Sequence, residues 1–464
     1  MTVPTTPEEW LPILADRLDR ESASVARLRC YVDGNAPLPE MGPKTKATWL
    51  AFQKKARTNY GGIACTSRAN RIRYRDVRVG DDDQSAASLT ARRIARNNRL
   101  SMQVADAVWN MLAARRGYLV AGHAPDGSAV ITSESPELFY AEPDPIYPWR
   151  TRASIKVWRD TVAEIDYALV WVPGLRQRFS RPSFTSADTR TIRVVASGGW
   201  EPDDIEPDSY DGDPPVWILD RRDGKGLIET HTDLIDRINL GKLQRLSTTA
   251  IQAFRQRALQ RADGAAGLPE TDKDGKPIKW EEVFEPAPGA LWELPEGFNI
   301  WESSPTDIRM MLDGEKSDAR EFAAVVGLNV SVLMPESANQ TATGAQNTTQ
   351  QEVDDCEAMI DRISLATAAC ILTSLRIEGI EVEGTIEVSF EPPGVITMAE
   401  QFDALSKGQA AGVALETLQK HVLGWSADMI AEDTANRTRA QAMSVMAALT
   451  RPAPQQPAET PAAV

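Results

Sequence analysis

The sequence has little of what metal-binding or secreted proteins usually require. Its 464 residues include four cysteines and three histidines, and neither set has the spacing of a zinc site. We therefore expect four free thiols in a reducing cytoplasm. The N-terminus lacks the apolar core of a signal peptide, and no run of about 18 consecutive apolar residues predicts a membrane span.

Familiar catalytic motifs are missing as well. The sequence has no Gly-x-x-x-x-Gly-Lys-Ser/Thr loop, no Gly-x-Ser-x-Gly elbow and no His-Glu-x-x-His motif. The acidic pairs Asp203-Asp204 and Asp354-Asp355 could serve a two-metal nuclease only if a fold made them converge. Asp354 and Asp355 fall on the polar side of an amphipathic helix, which favours a solvated face. We expect no enzymatic activity, no cofactor and no catalytic or metal-binding residue.

Charge is unevenly distributed along the chain. The net charge is −15, but residues 1–130 carry +7 and the remainder carries −22. An acidic majority argues against tight, static DNA binding, because that requires many Lys and Arg side chains to neutralise phosphates. A chain of this kind that handles DNA would have to do so without holding it. A solvated acidic surface is the commoner explanation for the excess.

Hydrophobic periodicity predicts a mixed α+β fold. Helical spacing occurs over residues 8–30, 44–57, 89–113, 227–262, 306–326, 352–378, 398–411, 414–422 and 426–449. A β-rich block begins with a hairpin around Asp126-Gly127. Strands are predicted for residues 118–122, 129–132, 153–158, 165–172, 189–196, 216–219 and 386–390, with a surface loop over 200–215.

Two segments have unusual composition. Residues 263–304, between two predicted helices, hold ten acidic residues against three lysines and contain Trp280, Trp292 and Trp301. Tryptophans in a short segment between two helices can form an interface or fill a small core. The two alternatives are balanced for Trp280, and a core is favoured for Trp292 and Trp301.

The second segment, Ser337 to Gln351, has no charge and no large apolar side chain. Its composition predicts a flexible polar loop, and an ordinary surface loop is the simplest interpretation. The C-terminal residues 451–464 are rich in Pro, Ala and Gln, which predicts a disordered tail.

The order of these elements resembles one protein family. Tyr31, Gly34, Pro37 and Leu38 look like a Tyr-x-x-Gly-x-x-Pro-Leu turn, and Thr66–Arg71 looks like a degraded Asn-Trp-x-x-x-Val-Val segment. The segment Arg116–Val120, at the start of a predicted strand, is similar to the family's Gly-x-x-Tyr-Val element. Ser331–Pro335, then Asn339–Ala345 and a long helix, resembles a tunnel loop with its supporting helix. The chain thus resembles the siphophage-type portal proteins of tailed bacteriophages, the head-to-tail connectors. It departs from them in lacking the Trp and at Asp81-Asp82-Asp83.

The resemblance implies a division of the chain. The expected parts are a wing (1–226), a first stem helix (227–262), a clip (263–304), a second stem helix (305–328), a tunnel loop (329–351), a long helix and strand associated with the wing (352–396), a helical crown (397–450) and a disordered tail (451–464).

It also implies a function. Portal proteins form a ring, typically of twelve subunits, at one capsid vertex of the virion, assembled in the host bacterial cytoplasm. The implied partners are the large terminase, the head–tail adaptor, the major capsid and scaffold proteins, and double-stranded DNA that passes without sequence specificity; a membrane is not among them. The expected DNA-facing residues are Asn339, Gln340, Thr341, Thr343, Gly344, Gln346 and Asn347. The expected clip contacts with the terminase are Trp280, Glu281, Glu282 and Glu285.

Two alternatives stay open from the sequence. One is another virion structural protein, such as a head–tail adaptor or a minor capsid protein, although these are usually shorter. The other is a metal-dependent DNA-processing enzyme, which metal-dependent cleavage of plasmid DNA would reveal.

Overall fold

The computed structural model describes residues 3–39, 47–183, 198–205, 207–253, 257–261, 270–271, 274–279, 298–302, 304, 307–334, 342–394, 398–425 and 427–449. Within these ranges the chain is mixed α+β, as the sequence predicts. The helices are α1 (Pro7–Val32), α2 (Ala47–Ala56), α3 (Tyr60–Ala69), α4 (Ala86–Asn97), α5 (Leu100–Ala114), α6 (Thr232–Ala253), α7 (Arg309–Val325), α8 (Val330–Leu333), α9 (Ala342–Ile377), α10 (Met398–Ala410), α11 (Leu415–His421) and α12 (Ala427–Leu449).

The strands of the described residues fall into four sheets. They are β1 (Tyr74–Val79), β2 (Arg116–His123), β3 (Ala129–Glu134), β4 (Phe139–Pro143), β5 (Thr151–Asp160), β6 (Ile165–Val172), β7 (Leu175–Pro182), β8 (Glu201–Pro202), β9 (Asp208–Ser209), β10 (Val216–Asp220), β11 (Arg257–Arg261), β12 (Phe298–Glu302) and β13 (Ile386–Phe390). The sheet orders are β4-β5-β6-β7-β8 with β9 on β7, β10-β2-β3, β1-β13 and β11-β12. The described pairings are antiparallel.

Helix α1 joins the two main cores. Thr6 caps the helix with a capping box: its side-chain oxygen accepts a hydrogen bond from Glu9 N, and the Glu9 carboxylate accepts one from Thr6 N. Trp10, Leu14 and Leu18 are buried against the β4–β7 sheet. The other end of the helix is buried in the larger core, which also contains β2, β3, α5 and α9. One amphipathic helix therefore fixes the β-rich block to the rest of the fold.

Helix α9 is the main helix of that larger core. Cys356, Ile363, Ile371 and Leu375 are buried on one face, and the helix packs against β2, β10 and β13. Its portion Thr349–Ile377 is long and apolar enough, by length and composition, to cross a membrane. The core helix of a soluble protein passes the same test, and this packing accounts for the apolar face.

The predicted helix over residues 89–113 is in fact two helices. The break falls at Asn98 and Arg99, and Arg99 adopts a left-handed φ of 50°. The Asn98 side chain donates to Ala129 O at 2.9 Å and accepts from Ile131 N at 2.8 Å. This contact with the edge of β3 replaces helical hydrogen bonding, which the periodicity alone cannot show.

The predicted helix over 227–262 is also wrong in its last part. Helix α6 ends at Ala253, and residues 257–261 form β11, which pairs with β12. Leu259 lies opposite Ile300 across this pair. A partner strand about 40 residues further along overrides the local helical pattern, because strand formation depends on cross-strand contacts.

Hydrophobic periodicity also failed to predict α3, β1, β4 and β7. Helix α3 begins with Tyr60-Gly61-Gly62, and glycine argues against a helix. Here the missing side chains allow close packing: a Cβ on Gly62 would lie 2.4 Å from Val32 O. The expected loop over 200–215 contains the short strands β8 and β9. The predicted strand at 189–196 lies outside the described residues.

The C-terminal helices α10 to α12 are mostly exposed in the single chain. Leu418 and Gln419 are buried on α11, and the Gln419 amide donates to Asp433 on α12 at 2.5 Å. Met398 and Met443 stay largely open to solvent. Residues 450–464, which include the expected disordered tail, lie outside the described residues.

The four cysteines are free thiols, three of them buried. Burial raises the pKa of Cys65 to about 12 and that of Cys356 to about 11. Buried thiols with such pKa values are inert at neutral pH, which fits a packing role.

Candidate functional site

The uncharged segment lies largely at the start of a helix and not in a loop. Helix α9 begins at Ala342, so the expectation of a loop through Gln351 is wrong for residues 342–351. Nucleating a helix is the costly step, and once the buried part of α9 exists each further residue extends it cheaply. Ala and Gln, which are frequent here, also favour helix.

The expected DNA-facing residues divide accordingly. Those on the first turns of α9 are Thr343, Gly344, Gln346 and Asn347. The others lie outside the described residues: Asn339, Gln340 and Thr341. The ten residues 342–351 carry no charge, so α9 begins with nearly three neutral turns. Among the side chains of α9 that the structure describes, the first buried ones are Glu352 and Val353.

Two groups of contacts hold the base of these turns. The first is made by Asn329, which caps the short helix α8. Its Nδ2 donates to Thr349 Oγ1 at 3.2 Å, while its Oδ1 accepts from Ser331 N at 3.0 Å. The second group, Arg68, Arg71, Glu352 and Asp355, joins the end of α3 to α9, and we call it the root cluster.

The root cluster is a ladder of two ion pairs. Arg68 Nη2 lies 3.2 Å from Asp355 Oδ2, and Arg71 Nη2 lies 3.4 Å from Glu352 Oε2. Ser67 Oγ donates to the other Glu352 oxygen at 2.9 Å. The carboxylates are three residues apart on α9. Arg68 lies on the last turn of α3 and Arg71 just past its end, also three residues apart, so both pairs come into register.

The same arginines also bind backbone carbonyls of two other segments. Arg68 Nη2 donates to Gly327 O at 3.1 Å, just after α7. Arg71 Nη1 donates to Pro393 O at 2.9 Å, just after β13. The root cluster therefore connects α3, α7, α9 and the segment after β13.

Burial differs within the cluster. The Glu352 side chain is 0% exposed and that of Arg68 is 2% exposed, whereas Asp355 is 52% exposed. A carboxylate removed from water requires close partners, because an unpaired buried charge is strongly destabilising. Ser67 supplies a hydrogen bond to Oε1, and Arg71 supplies the opposite charge 3.4 Å from Oε2.

The two helices expected to form the stem pack directly against each other. Arg245 Nε donates to Glu315 Oε1 at 2.6 Å, and Arg237 contacts Asp318 at 3.0 Å. Phe322 on α7 is fully buried near the ring of Tyr60, with ring centroids 6.0 Å apart. The ion pairs hold α6 and α7 together, and the aromatic contact packs α7 against α3.

The expected clip residues lie mostly outside the described residues: Trp280, Glu281, Glu282, Glu285 and Trp292. Trp301 is described, and the expectation that it fills a local core is wrong for the single chain, because it is 48% exposed. It lies on β12 opposite Ala258, and a two-stranded sheet leaves side chains open on its faces.

The two acidic pairs of the sequence do not converge. Asp203 contacts Arg178 on β7. Asp354 accepts a hydrogen bond from Gln350 on its own helix at 2.7 Å, and Asp355 belongs to the root cluster. Among the residues that the structure describes, three or more His, Cys, Asp or Glu side chains nowhere gather as a metal site would require.

Sequence reasoning missed the root cluster. Its arginines lie in the Thr66–Arg71 segment, whose sequence shows only a degraded form of a family motif. The one available signal was the matching three-residue spacing of Arg68 and Arg71 with Glu352 and Asp355. Their separation by 287 residues, from Arg68 to Asp355, leaves no local pattern that links them.

Comparison with known proteins gives similarity at the level of structure. No protein-family model matches the sequence, and no curated protein matches it. The chain is similar to a component of the neck of a native GTA particle, computed with C12 symmetry, at 12% identity over 85% of this chain and 98% of that one, with a TM-score of 0.43.

Two further solved structures are similar. One is from the neck of an empty GTA particle, computed with C6 symmetry, at 14% identity over 87% of this chain and 100% of that one, with a TM-score of 0.46. The other is an HK97 family phage portal protein from Corynebacterium diphtheriae, at 10% identity over 79% of this chain and 99% of that one, with a TM-score of 0.35.

Proposed function

We propose that this chain is a portal subunit of a tailed bacteriophage, a structural protein that forms a ring through which double-stranded DNA enters and leaves the capsid. The observation that carries the proposal is that the first ten residues of α9 are uncharged. Its ten residues without charge continue a helix whose remainder is buried in the core. The neutral residues are thus continuous with a helix held in the core, in the order of elements by which the sequence resembles portal proteins.

A neutral lining suits a conduit because DNA must slide through it. Each Lys or Arg that meets a phosphate displaces a counterion and adds salt-dependent affinity, which would slow the transit. Amide and hydroxyl side chains offer weak, exchangeable hydrogen bonds and no fixed charge. The acidic excess of the remaining chain works in the same direction by repelling the DNA backbone.

The exposed C-terminal helices support a ring. Helix α12 has 23 residues, and the described side chains on it are almost all exposed. Helices of this kind gain most of their stability from tertiary packing, so neighbouring copies would cover α10 to α12. The resemblance implies twelve copies, with the large terminase at the clip and the head–tail adaptor, major capsid and scaffold proteins as other partners.

This role needs no catalytic group, cofactor or metal, and it places the protein at the portal vertex of the virion. The ring can be tested by native mass spectrometry of the purified chain together with negative-stain microscopy. Twelve copies of the 50.9 kDa chain give a mass near 611 kDa and a central hole. A stable dimer or trimer of compact globules would contradict the proposal.

The conduit can be tested by adding charge. The triple variant Gln340→Lys, Thr343→Lys and Gln346→Lys should form rings and yield few DNA-filled particles. A matched control adds three lysines at Thr161, Val162 and Ala163, which are exposed in the turn between β5 and β6. Normal particle yield from the first variant would refute the neutral-lining argument.

A further inference from the structure

Among the side chains of α9 that the structure describes, the first buried one is a carboxylate. Thr349 is half-buried and Gln350 and Gln351 are exposed, whereas Glu352 is fully buried. A glutamate at the point where a helix enters a core destabilises the fold, because its charge is removed from water. Leucine at this position would pack without that cost, so packing alone does not explain the residue.

We propose that Glu352 is a positioning residue, which fixes, through Arg71 and Ser67, the register in which the neutral turns 342–351 extend from the core. That these turns face DNA rests on the function proposed above. The anchoring itself is a property of the chain and can be measured without DNA.

Apolar contacts cannot set this register by themselves. They are non-directional, and the stripe of Val353, Cys356 and Met359 presents an apolar side chain at every turn. If α9 slid by one turn, its stripe could still pack. The hydrogen bonds from Ser67 to Glu352 and from Arg68 to Asp355, by contrast, require particular atoms at particular distances, and the Arg71–Glu352 pair requires opposite charges at the same level.

A one-turn slide would break the root cluster in either direction. In one direction Asp355 would reach Arg71, and Arg68, whose side chain is 2% exposed, would face Ala358 or Met359 without a carboxylate. In the other direction Glu352 would reach Arg68, and Arg71 would face Thr348 or Thr349. Leaving a buried charge without its partner is strongly unfavourable, so the cluster selects one register.

Arg68 adds a connection to the stem. It reaches Gly327 O after α7 with the same nitrogen that contacts Asp355. A Cβ on Gly327 would lie 2.9 Å from that nitrogen, and the glycine has a left-handed φ of 65°. The end of α7 is thereby held against the base of the neutral turns.

Hydrogen–deuterium exchange of the purified full-length chain tests the proposal. Glu352→Gln keeps the shape and the bond from Ser67 but removes the charge. We expect exchange over residues 342–351 to become about tenfold faster, which corresponds to ~1.4 kcal/mol of local opening. Exchange over 359–377 and the mass of the assembly should stay as in the wild type.

Two further variants complete the test. Arg71→Lys keeps the positive charge and should raise exchange over 342–351 by less than Glu352→Gln does. If the Glu352→Gln protein does not fold, the Arg71→Lys protein is measured in its place. Glu357→Gln removes an exposed carboxylate further along the same helix and should change nothing. Unchanged exchange over 342–351 would overturn the proposal, and so would an equal rise along all of α9, which indicates general destabilisation.

The link to DNA passage is separable from the anchoring. In a phage that depends on this gene, Glu352→Gln rings of normal mass should package less DNA. Faster exchange with normal packaging would refute the link to DNA. A wild-type chain that forms no ring and supports no packaging would refute the proposed function, while the exchange result would still decide the anchoring.

Discussion

Arg115 holds Glu229 through two nitrogens, with Nε donating to Glu229 Oε2 at 2.9 Å and Nη2 contacting the other oxygen. The same guanidinium reaches Glu21 on α1 at 3.1 Å. Arg115 follows α5 with a φ of 76°, a backbone conformation that is strained for any residue but glycine. These ion pairs maintain the strained turn and join α1, α5 and the start of α6.

Glu229→Gln should destabilise the fold at neutral pH but not in acid. Burial alone would raise the pKa of Glu229, yet the hydrogen bonds from Arg115 and Gly226 N hold its pKa below the ordinary value. A lowered pKa stabilises the fold above the unfolded pKa of about 4.3 and loses that contribution as pH falls through the folded value. We expect a loss of about 2 kcal/mol at pH 7, which shrinks below about pH 4.

Urea unfolding at pH 7 and at acid pH measures this difference. Glu357→Gln is the control, because Glu357 is exposed on α9. Equal destabilisation by Glu229→Gln at both pH values would contradict the ion-pair interpretation.

The sequence located elements well where one local period dominates. The strand predicted at 165–172 has the same bounds in the structure, and the first helix differs from its prediction by one or two residues at each end. Prediction failed at Asn98 and at 257–261. In both places a partner distant in the chain supplies the hydrogen bonds that decide the local conformation.

The candidate site was only partly visible in the sequence. Composition identified the neutral segment, because an absence of charge needs no knowledge of the fold. It could not show that residues 342–351 continue a helix, nor that Arg71 and Ser67 meet Glu352. Such contacts arise where the end of α3 meets α9 at the larger core, which brings together residues 285 positions apart in the chain.

Asn98→Ala should cost about 2 kcal/mol of unfolding free energy. The residue makes three bonds: Nδ2 donates to Ile94 O at 3.0 Å and to Ala129 O at 2.9 Å, and Oδ1 accepts from Ile131 N at 2.8 Å. Losing them leaves part-buried backbone groups unpaired. Chemical denaturation measures the loss, and Asn97→Ala, at an exposed neighbour, should have little effect. Faster amide exchange at Ile131 should accompany the loss, and unaltered exchange there would argue against it.

Gly117→Ala should destabilise the protein by ~3 kcal/mol or prevent folding. A Cβ at this position would lie 1.9 Å from Ala107 O, a backbone atom of α5, so β2 would have to move away from the helix. Gly314→Ala is the matched control, because on α7 an added Cβ meets nothing within 4 Å. Alanine favours helix over glycine by up to about 1 kcal/mol, so the control should be neutral or more stable. Thermal unfolding of both variants should show shifts of opposite sign or very different size.

Asp236→Asn should have the opposite effect to Glu229→Gln. Burial raises the pKa of Asp236, and the nearby Asp233 adds to this, while the hydrogen bond from Tyr31 and the charge of Arg27 only partly oppose it. A raised carboxyl pKa means that the folded state binds the proton more tightly, so stability falls as pH rises through the unfolded pKa of about 3.9. Asparagine removes the charge, and its carbonyl can still accept a hydrogen bond from the Tyr31 hydroxyl. In the wild-type chain this hydroxyl oxygen lies 2.7 Å from Asp236 Oδ2.

We therefore expect Asp236→Asn to be unchanged or up to about 1 kcal/mol more stable at pH 7, with no gain near pH 3, where the wild-type carboxyl is protonated. Tyr31→Phe serves as the comparison, because it removes the hydrogen bond and leaves the carboxylate in place. It should destabilise at pH 7, since the half-buried charge then loses a donor. If Asp236→Asn were instead less stable than the wild type at pH 7, the attraction of the Arg27 charge would outweigh the burial of the carboxylate, and the packing of α1 on α6 would depend on charge.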